Sequence, residues 1–515
     1  AISNNVNFSM GGGSDQFSYY GSIGVEDQEG ILRNSDLRRY SGRINLSQSS
    51  LDNRFKVDLN LTATRTENNR PLTTTIVSDM LRSNPTFPAY TDGEPTPTLS
   101  GDQFNALIRE DLYSDFAYNN RILANVSPSF EIVDGLTYRL NLGVDYSHVE
   151  REVQNLPYTK REDEIGSLGI TYTSNTNTLI ENYLTYELDL GKHHATFLAG
   201  YTFQETFYKS RWWDYEDFPD NGVAPKYQIG AGKELSRGSD AVKDELQSFF
   251  ARVNYSFANK YMFTATMRGD GSSKFGENNK YGYFPSASMG WNIGREDFMM
   301  ETPFTNLKLR ASWGQTGNQE IPSKITQASY TDSRNDNDTY PLGGVINSIE
   351  DYPYGTVYTR LANPDIQWEV STQLNVGVDF GLFENKLTGT VDYFNKVSEN
   401  VLLEVVPSDP IQPTTTYWTN IPDMEIRNRG IEVSLDYSST ADQNDFAYQI
   451  GGNLAITKNQ VENSPYKVLT TGAAQGAGQT GSTINGYLNG EPIGAFYMKD
   501  FTGIDANGFS EFRDV

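Results

Sequence analysis

Along most of its length this chain changes polarity at every second residue. In the stretch 136–146, Leu136, Tyr138, Leu140, Leu142, Val144 and Tyr146 are apolar or aromatic, while Thr137, Arg139, Asn141, Gly143 and Asp145 are polar, small or charged. A period of two puts successive side chains on opposite faces of a β-strand, one greasy and one wet. The same alternation sets Phe55, Val57, Leu59 and Leu61 against Lys56, Asp58, Asn60 and Thr62. It sets Leu374, Val376, Val378 and Phe380 against Asn375, Gly377 and Asp379, and Ile431, Val433, Leu435 and Tyr437 against Glu432, Ser434 and Asp436. Sixteen strands are read in this way, near residues 3–10, 16–25, 37–48, 54–66, 120–132, 136–148, 178–190, 194–205, 246–257, 260–269, 281–293, 305–315, 368–380, 385–397, 429–438 and 446–457. Many exceed ten residues. Strands of soluble proteins average about five or six, whereas about 9–11 tilted residues are needed to cross a bilayer.

The connections alternate in length. Short ones fall at 11–15, 49–53, 133–135, 191–193, 258–259, 294–304, 381–384 and 439–445; long ones at 26–36, 67–119, 149–177, 206–245, 270–280, 316–367, 398–428 and from 458 onward. Tight turns at one end and long loops at the other describe an all-β, antiparallel, up-and-down transmembrane barrel. A secreted array of β-sandwiches would show a repeat of roughly 90 residues, and none is visible.

Composition agrees. The 515 residues suit about three ordinary domains or one very large one. No apolar run approaches the length of a membrane helix, about 18 residues. Barrel strands average to a polar score and are not excluded by that. With 41 Lys and Arg against 66 Asp and Glu, the net charge of -25 argues against nucleic acid or another polyanion as partner. The absence of cysteine removes disulfides, thiolate metal sites and cysteine nucleophiles. Arg139, Asp145, Glu187, Asp189, Asp379 and Glu432 on the polar faces call for a wide lumen, watered or filled by a polar plug. Tyr19, Tyr20, Tyr146, Tyr201, Tyr261 and Tyr281 at strand ends suit interfacial girdles.

Enzyme signatures are weak. Gly476-Ala477-Gly478-Gln479-Thr480-Gly481 matches a dinucleotide pattern, yet no helix follows to face a phosphate, and a loop tip is the plainer reading. His193 and His194 share a short turn without metal-ligand partners, and His148 is the one candidate base for a barrel hydrolase. Asp505-Ala506-Asn507-Gly508 lacks the bidentate Glu of a calcium loop and reads as a glycine turn. What remains is aromatic and acidic clustering in the long connections: Trp212-Trp213-Asp214-Tyr215-Glu216-Asp217-Phe218, then Tyr352, Tyr354 and Tyr358, then Tyr417-Trp418. Rings stack on sugar faces or peptide side chains, and carboxylates accept from hydroxyls and amines. Trp212, Trp213, Tyr215, Tyr352, Tyr354, Tyr417 and Trp418 are therefore the candidate contacts, with packing against neighbouring loops or a partner protein the equal alternative.

Particular stretches resemble a known family. Asp27-Gln28-Glu29-Gly30-Ile31, Asn34-Ser35-Asp36 and Arg39-Tyr40 resemble the early barrel of SusC/RagA-type TonB-dependent transporters of Bacteroidetes. So do Leu81-Arg82-Ser83-Asn84-Pro85, Arg268-Gly269-Asp270-Gly271-Ser272-Ser273-Lys274-Phe275-Gly276 and Tyr283-Phe284-Pro285-Ser286. Leu307-Lys308-Leu309-Arg310-Ala311-Ser312-Trp313-Gly314, Thr316-Gly317-Asn318-Gln319, Asn363-Pro364, Trp368-Glu369 and Arg427-Asn428-Arg429-Gly430-Ile431-Glu432 continue the match in order along nearly the whole chain.

The resemblance implies an outer-membrane importer of oligosaccharides or oligopeptides. A SusD-like lipoprotein would lid the long loops, the TonB complex would supply the energy, and no covalent chemistry or cofactor would be needed. The candidate aromatic residues would then touch ligand or lid. A surface scaffold without import activity of its own is the alternative, told apart by the absence of a TonB box. Family members carry a signal sequence, an extension domain, a TonB box and a plug ahead of a barrel of about 22 strands. On that pattern residues 1–515 are barrel, an odd number of strands precedes Ala1, about five follow Val515, and 458–515 form a long outer loop. The strands at 3–10 and 446–457 are then expected not to pair with each other. The resemblance also places Asp514 at the start of an acidic run able to hold calcium.

Overall fold

The structure, a computed structural model, describes residues 2–96, 98–100, 103–159, 165–332, 356–405, 417–439, 446–465, 469–476, 479–496 and 500–513. Sixteen strands form one sheet: β1 (Ser3–Gly13), β2 (Phe17–Glu29), β3 (Asp36–Ser50), β4 (Phe55–Asn69), β5 (Tyr113–Val133), β6 (Leu136–Asn155), β7 (Ser167–Leu190), β8 (His193–Glu216), β9 (Lys233–Phe257), β10 (Tyr261–Ser272), β11 (Tyr281–Asn292), β12 (Phe304–Asn318), β13 (Glu369–Leu382), β14 (Leu387–Glu399), β15 (Glu425–Ser438) and β16 (Gln449–Glu462). Their order in the sheet is their order in the chain. The order begins at β1 and ends at β16, which do not pair with each other in it. The chain divides into two compact units, one of residues 1–184 and 201–246, the other of 185–200 and 247–515.

Register explains why the alternation folds this way. From β1 to β6, Phe8 lies opposite Ile23, Ile23 opposite Gly42, Gly42 opposite Ala63, Ala63 opposite Ile122 and Ile122 opposite Tyr146. The row is apolar throughout, and a slip of one residue in any pair would turn that strand's apolar set to the wet face. On the other face Asn45, Asn60 and Asn125 come level. Asn125 Nδ2 donates to Asn141 Oδ1 at 2.6 Å and Asn141 Nδ2 to Glu181 Oε2 at 2.7 Å, so amides satisfy one another along the polar wall. In the second unit Arg310 holds Asp379 through two bonds of 2.8 and 2.7 Å and reaches Asp392 at 3.1 Å. A wall that faced lipid could not carry such groups.

Several of the short connections close as tight turns. Leu51, Asp52 and Asn53 all have positive φ (54°, 54° and 66°), as do Phe383, Glu384 and Asn385 in another turn. Gly135 and Gly191, at φ 75° and 64°, occupy the left-handed region where a side chain would be strained. All these turns lie at the same end of their strands.

The long end departs from the sequence reading. β6 runs to Asn155 rather than 148, β7 starts at Ser167 rather than 178, β8 reaches Glu216 rather than 205, and β9 starts at Lys233 rather than 246. Residues 149–177 and 206–245 are thus largely strand, not loop. β5 has 21 residues and β6 has 20. At about 3.3 Å per residue and a tilt of about 40°, strands of that length rise about 50 Å, twice an apolar band of about 25 Å. Beyond the bilayer both faces are wet, so pairing continues while the polarity signal that marks a strand is lost. Two helices, α1 (Thr73–Arg82) and α2 (Ala106–Leu112), also interrupt the all-β reading between β4 and β5. Asn105 caps α2 by accepting from Leu107 N, and its amide donates to Ala89 O and Thr96 O, each at 3.0 Å. Arg109 Nε joins the helices through Asp79 Oδ2 at 2.7 Å. After β16 the chain forms further short strands, Leu469–Gly476, Gln479–Tyr487 and Ala495–Phe496 in one sheet and Asp500–Ile504 with Ser510–Arg513 in another.

Candidate ligand-facing outer end

Trp212, Trp213 and Tyr215 stand near the outer end of β8, in a strand rather than a loop. Neighbours in a strand face opposite ways, so the two tryptophans part company. His148 lies opposite Asn120 and Asn120 opposite Arg65, in the row that carries Tyr40 and Val25 on the lipid side. His148 stacks on Tyr172 with ring centres 6.5 Å apart, and Tyr172 meets Trp213 edge-on at 6.0 Å. Trp213 therefore belongs to the exterior face, and alternation gives Tyr215 the same side. Trp212 belongs to the interior face: a Cβ on Gly238 would lie 2.2 Å from its ring. Asp214, also interior, accepts from Ser236 Oγ at 2.7 Å. Gly238 is thus what lets the Trp212 ring lie flat on β9.

At the outer end of β5, also on the interior face, Asp115 is almost fully buried between two guanidinium groups. Arg151 donates to both its oxygens at 2.8 and 2.7 Å, and Arg70 reaches it at 3.3 Å. The pair of cations holds the start of β5 against the end of β6.

In the second unit the long connections pack into small cores of their own. Phe275 and Trp368 are buried with ring centres 4.8 Å apart, and Phe284 meets Trp368 edge-on at 5.5 Å. Trp368 Nε1 donates to Lys280 O at 3.1 Å. Gly276 passes so near Pro364 that a Cβ would lie 2.0 Å from the proline carbonyl oxygen. Asn363 Nδ2 donates to Trp418 O at 2.8 Å; Asn420 accepts from Gln367 N and donates to Gln367 O, each at 2.9 Å; and Leu402 N donates to Glu369 Oε2 at 3.0 Å. A second cluster buries Val401, Val405, Ile421, Met424 and Val461, with Tyr417 packed against it. Tyr417 and Trp418 sit on the loop strand Tyr417–Ile421, paired with Val401–Val405. Tyr417 faces this core, and Trp418 faces the other way.

Sequence reasoning picked out Phe275, Gly276, Asn363, Pro364, Trp368 and Glu369 only as marks of resemblance. The structure makes them the clamps of the outer loops. Tyr352, Tyr354 and Asp514, with its calcium expectation, lie outside the described residues. Among the described residues no group of three His, Asp or Glu is placed to hold a metal ion. His193 Nδ1 pairs with Tyr255 OH at 2.7 Å, and His194 pairs with Asp189. Gly476 ends the strand Leu469–Gly476 and Gln479, Thr480 and Gly481 begin its partner Gln479–Tyr487, and no described helix follows the run. Asp505 Oδ1 accepts from Asn507 N at 2.9 Å and Phe509 N at 2.8 Å, closing a turn in which Gly508 has φ 88°.

A sequence profile described as "TonB dependent receptor-like, beta-barrel" matches residues 45–509. The chain belongs to that family. It is 31% identical over 98% of its length to TonB-dependent receptor P3 of Formosa agariphila, covering 50% of that protein, and 26% identical over 90% of its length to TonB-dependent receptor SusC of Bacteroides thetaiotaomicron, covering 47%. The chain spans about half the length of these curated relatives. The RagAB peptide transporter shares its fold, with a TM-score of 0.80 and 22% identity over 99% of this chain and 56% of that one. A TonB-dependent receptor barrel of SusC/RagA type lies in the outer membrane. No described helix is long and apolar enough to span it, and the strands do the crossing. The family is one of receptors and transporters rather than enzymes.

Proposed function

We propose that the protein of which this chain forms the barrel imports oligosaccharides or oligopeptides together with a SusD-like lipoprotein and the TonB complex. The observation that carries the reading is the build of the outer end. Strands continue well past the bilayer, the long connections pack into cores of their own, and Trp212 with Asp214 faces inward there. A surface prepared in this way suits capture of a ligand under a lid better than free diffusion through an open pore. RagAB is named for peptides, and RagA-type and SusC-type barrels both match this one. The cargo is thus a short polymer of sugars or amino acids, met by rings and carboxylates.

The test is uptake. A strain lacking the gene should lose accumulation of one labelled class, glycan or peptide, and recover it with the full-length gene but not with one whose coupling to TonB is broken. Unchanged accumulation of both classes, with partner proteins still assembling on the barrel, would favour the scaffold instead.

A further inference from the structure

The half-buried Trp212 ring is laid out as a seat. Gly238 lies beneath it, where a Cβ would come within 2.2 Å of the ring, so the indole rests directly on the backbone of β9. The polar groups around it are of one kind. Asp214 stands two residues along β8 on the same interior face, about 7 Å on at the usual rise per residue, and Asp240 stands two residues along β9 from Gly238. The nearby Ser236 hydroxyl donates to Asp214 at 2.7 Å and is spent there. Asp240 is exposed, and its carboxylate meets no partner among the described residues. The cations of β9 are engaged elsewhere. Lys243, on the exterior face, is held by Glu205 and Glu245 at 2.9 and 2.8 Å, and Arg237 pairs with Glu234 at 3.1 Å.

We propose that this seat takes a lysine or arginine side chain of a peptide cargo, its aliphatic stem on the Trp212 ring and its charged head between Asp214 and Asp240. The inference rests on the importer reading above and selects within it. Ionised carboxylates only accept hydrogen bonds, and ammonium and guanidinium groups only donate them, so the two sets match. A sugar hydroxyl both donates and accepts, and these carboxylates would leave its lone pairs unmet. The ring acts in the same direction: the face of an indole attracts a cation, and its apolar surface covers a methylene stem. The net charge of -25 draws cations toward the protein in the first place.

The experiment offers the full-length receptor, assembled with its lid protein, a mixture of random hexapeptides and, separately, a mixture of neutral oligosaccharides, and identifies by mass spectrometry what co-purifies. The wild type should retain peptides enriched about five-fold in Lys or Arg over the input. Asp240→Asn should lose most of that enrichment, and Asp240→Lys should turn it toward Asp and Glu. Unchanged heat-modifiable migration on gels shows each variant folded. Retained peptides without basic enrichment, or with the same enrichment in Asp240→Asn, overturn the inference. So does retention of oligosaccharides alone, which leaves the importer reading standing. Retention of neither mixture by the assembled complex sinks both.

Discussion

At the short-turn end the contacts that shape the chain are made between adjoining strands and turns; at the long-loop end they join connections far apart in sequence. Glu296, in the turn between β11 and β12, accepts from Trp291 five residues away and from Lys260 and Tyr261 in the preceding turn. Across the long connections Trp368 bonds to Lys280, 88 residues away, and Asn363 to Trp418, 55 residues away. The turn end is built as each hairpin closes. The outer end exists only once several hairpins stand side by side, which makes it separable from the membrane sheet.

The sharpest way to break this contrast is Trp368→Ala. Removing a buried tryptophan costs about 3–5 kcal/mol, more than local loop contacts can absorb. The outer loops around it should become protease-sensitive while the sheet keeps its heat-modifiable migration. Gly276→Ala should act in the same direction, because the Pro364 carbonyl has no room to retreat. If either variant instead abolishes insertion of the barrel, the two ends are one cooperative unit and the contrast fails.

Next in size is the division between the two tryptophans. Trp212→Ala should weaken ligand capture by about 1–3 kcal/mol, the usual range for a contact aromatic, whereas Trp213→Ala should leave it within about 0.5 kcal/mol. Ligand titration of the two full-length variants, with lid association measured beside it, gives the answer. Equal losses would mean that the faces are assigned wrongly or that the whole strand end acts through packing.

These two residues also show how far the sequence could be read. The alternation at 136–146 or 429–438 places each strand because one face meets lipid, and that requirement is written into every second residue. Past the bilayer, Glu150-Arg151-Glu152 or Asp214-Tyr215-Glu216 carries no such pattern, and the strands there are held by register inherited from below. Trp212 and Trp213 stood out as chemistry, but only the partners across the sheet, Gly238 and Tyr172, separate them. Phe275, Gly276 and Trp368 were visible as a match to relatives, while their meeting depends on contacts between distant parts of the chain that no local signal encodes.

The smallest expected effect lies at the turn end. Glu296 accepts from Lys260 Nζ at 2.9 Å, Tyr261 OH at 2.8 Å and Trp291 Nε1 at 3.1 Å. The Lys260 ammonium first, then the Tyr261 and Trp291 donors, pull its carboxyl down to about 2 from the ordinary 4.5, and Lys260 is shifted up in return. A carboxylate lowered on folding stabilises fully above its ordinary pKa and loses that contribution as pH falls through its folded one. Here the window runs from about 4.5 to about 2. The turn faces water, which screens the pair and keeps the contribution small. Glu296→Gln should therefore lower the thermal midpoint of the full-length receptor slightly at pH 7, and the gap from wild type should narrow below pH 4.5 and close near pH 2. Trp368→Ala should show no such convergence, because what it removes is ring packing rather than a charge pair. A gap for Glu296→Gln that persists unchanged to pH 2 would mean that the hub works through its neutral hydrogen bonds rather than its charge.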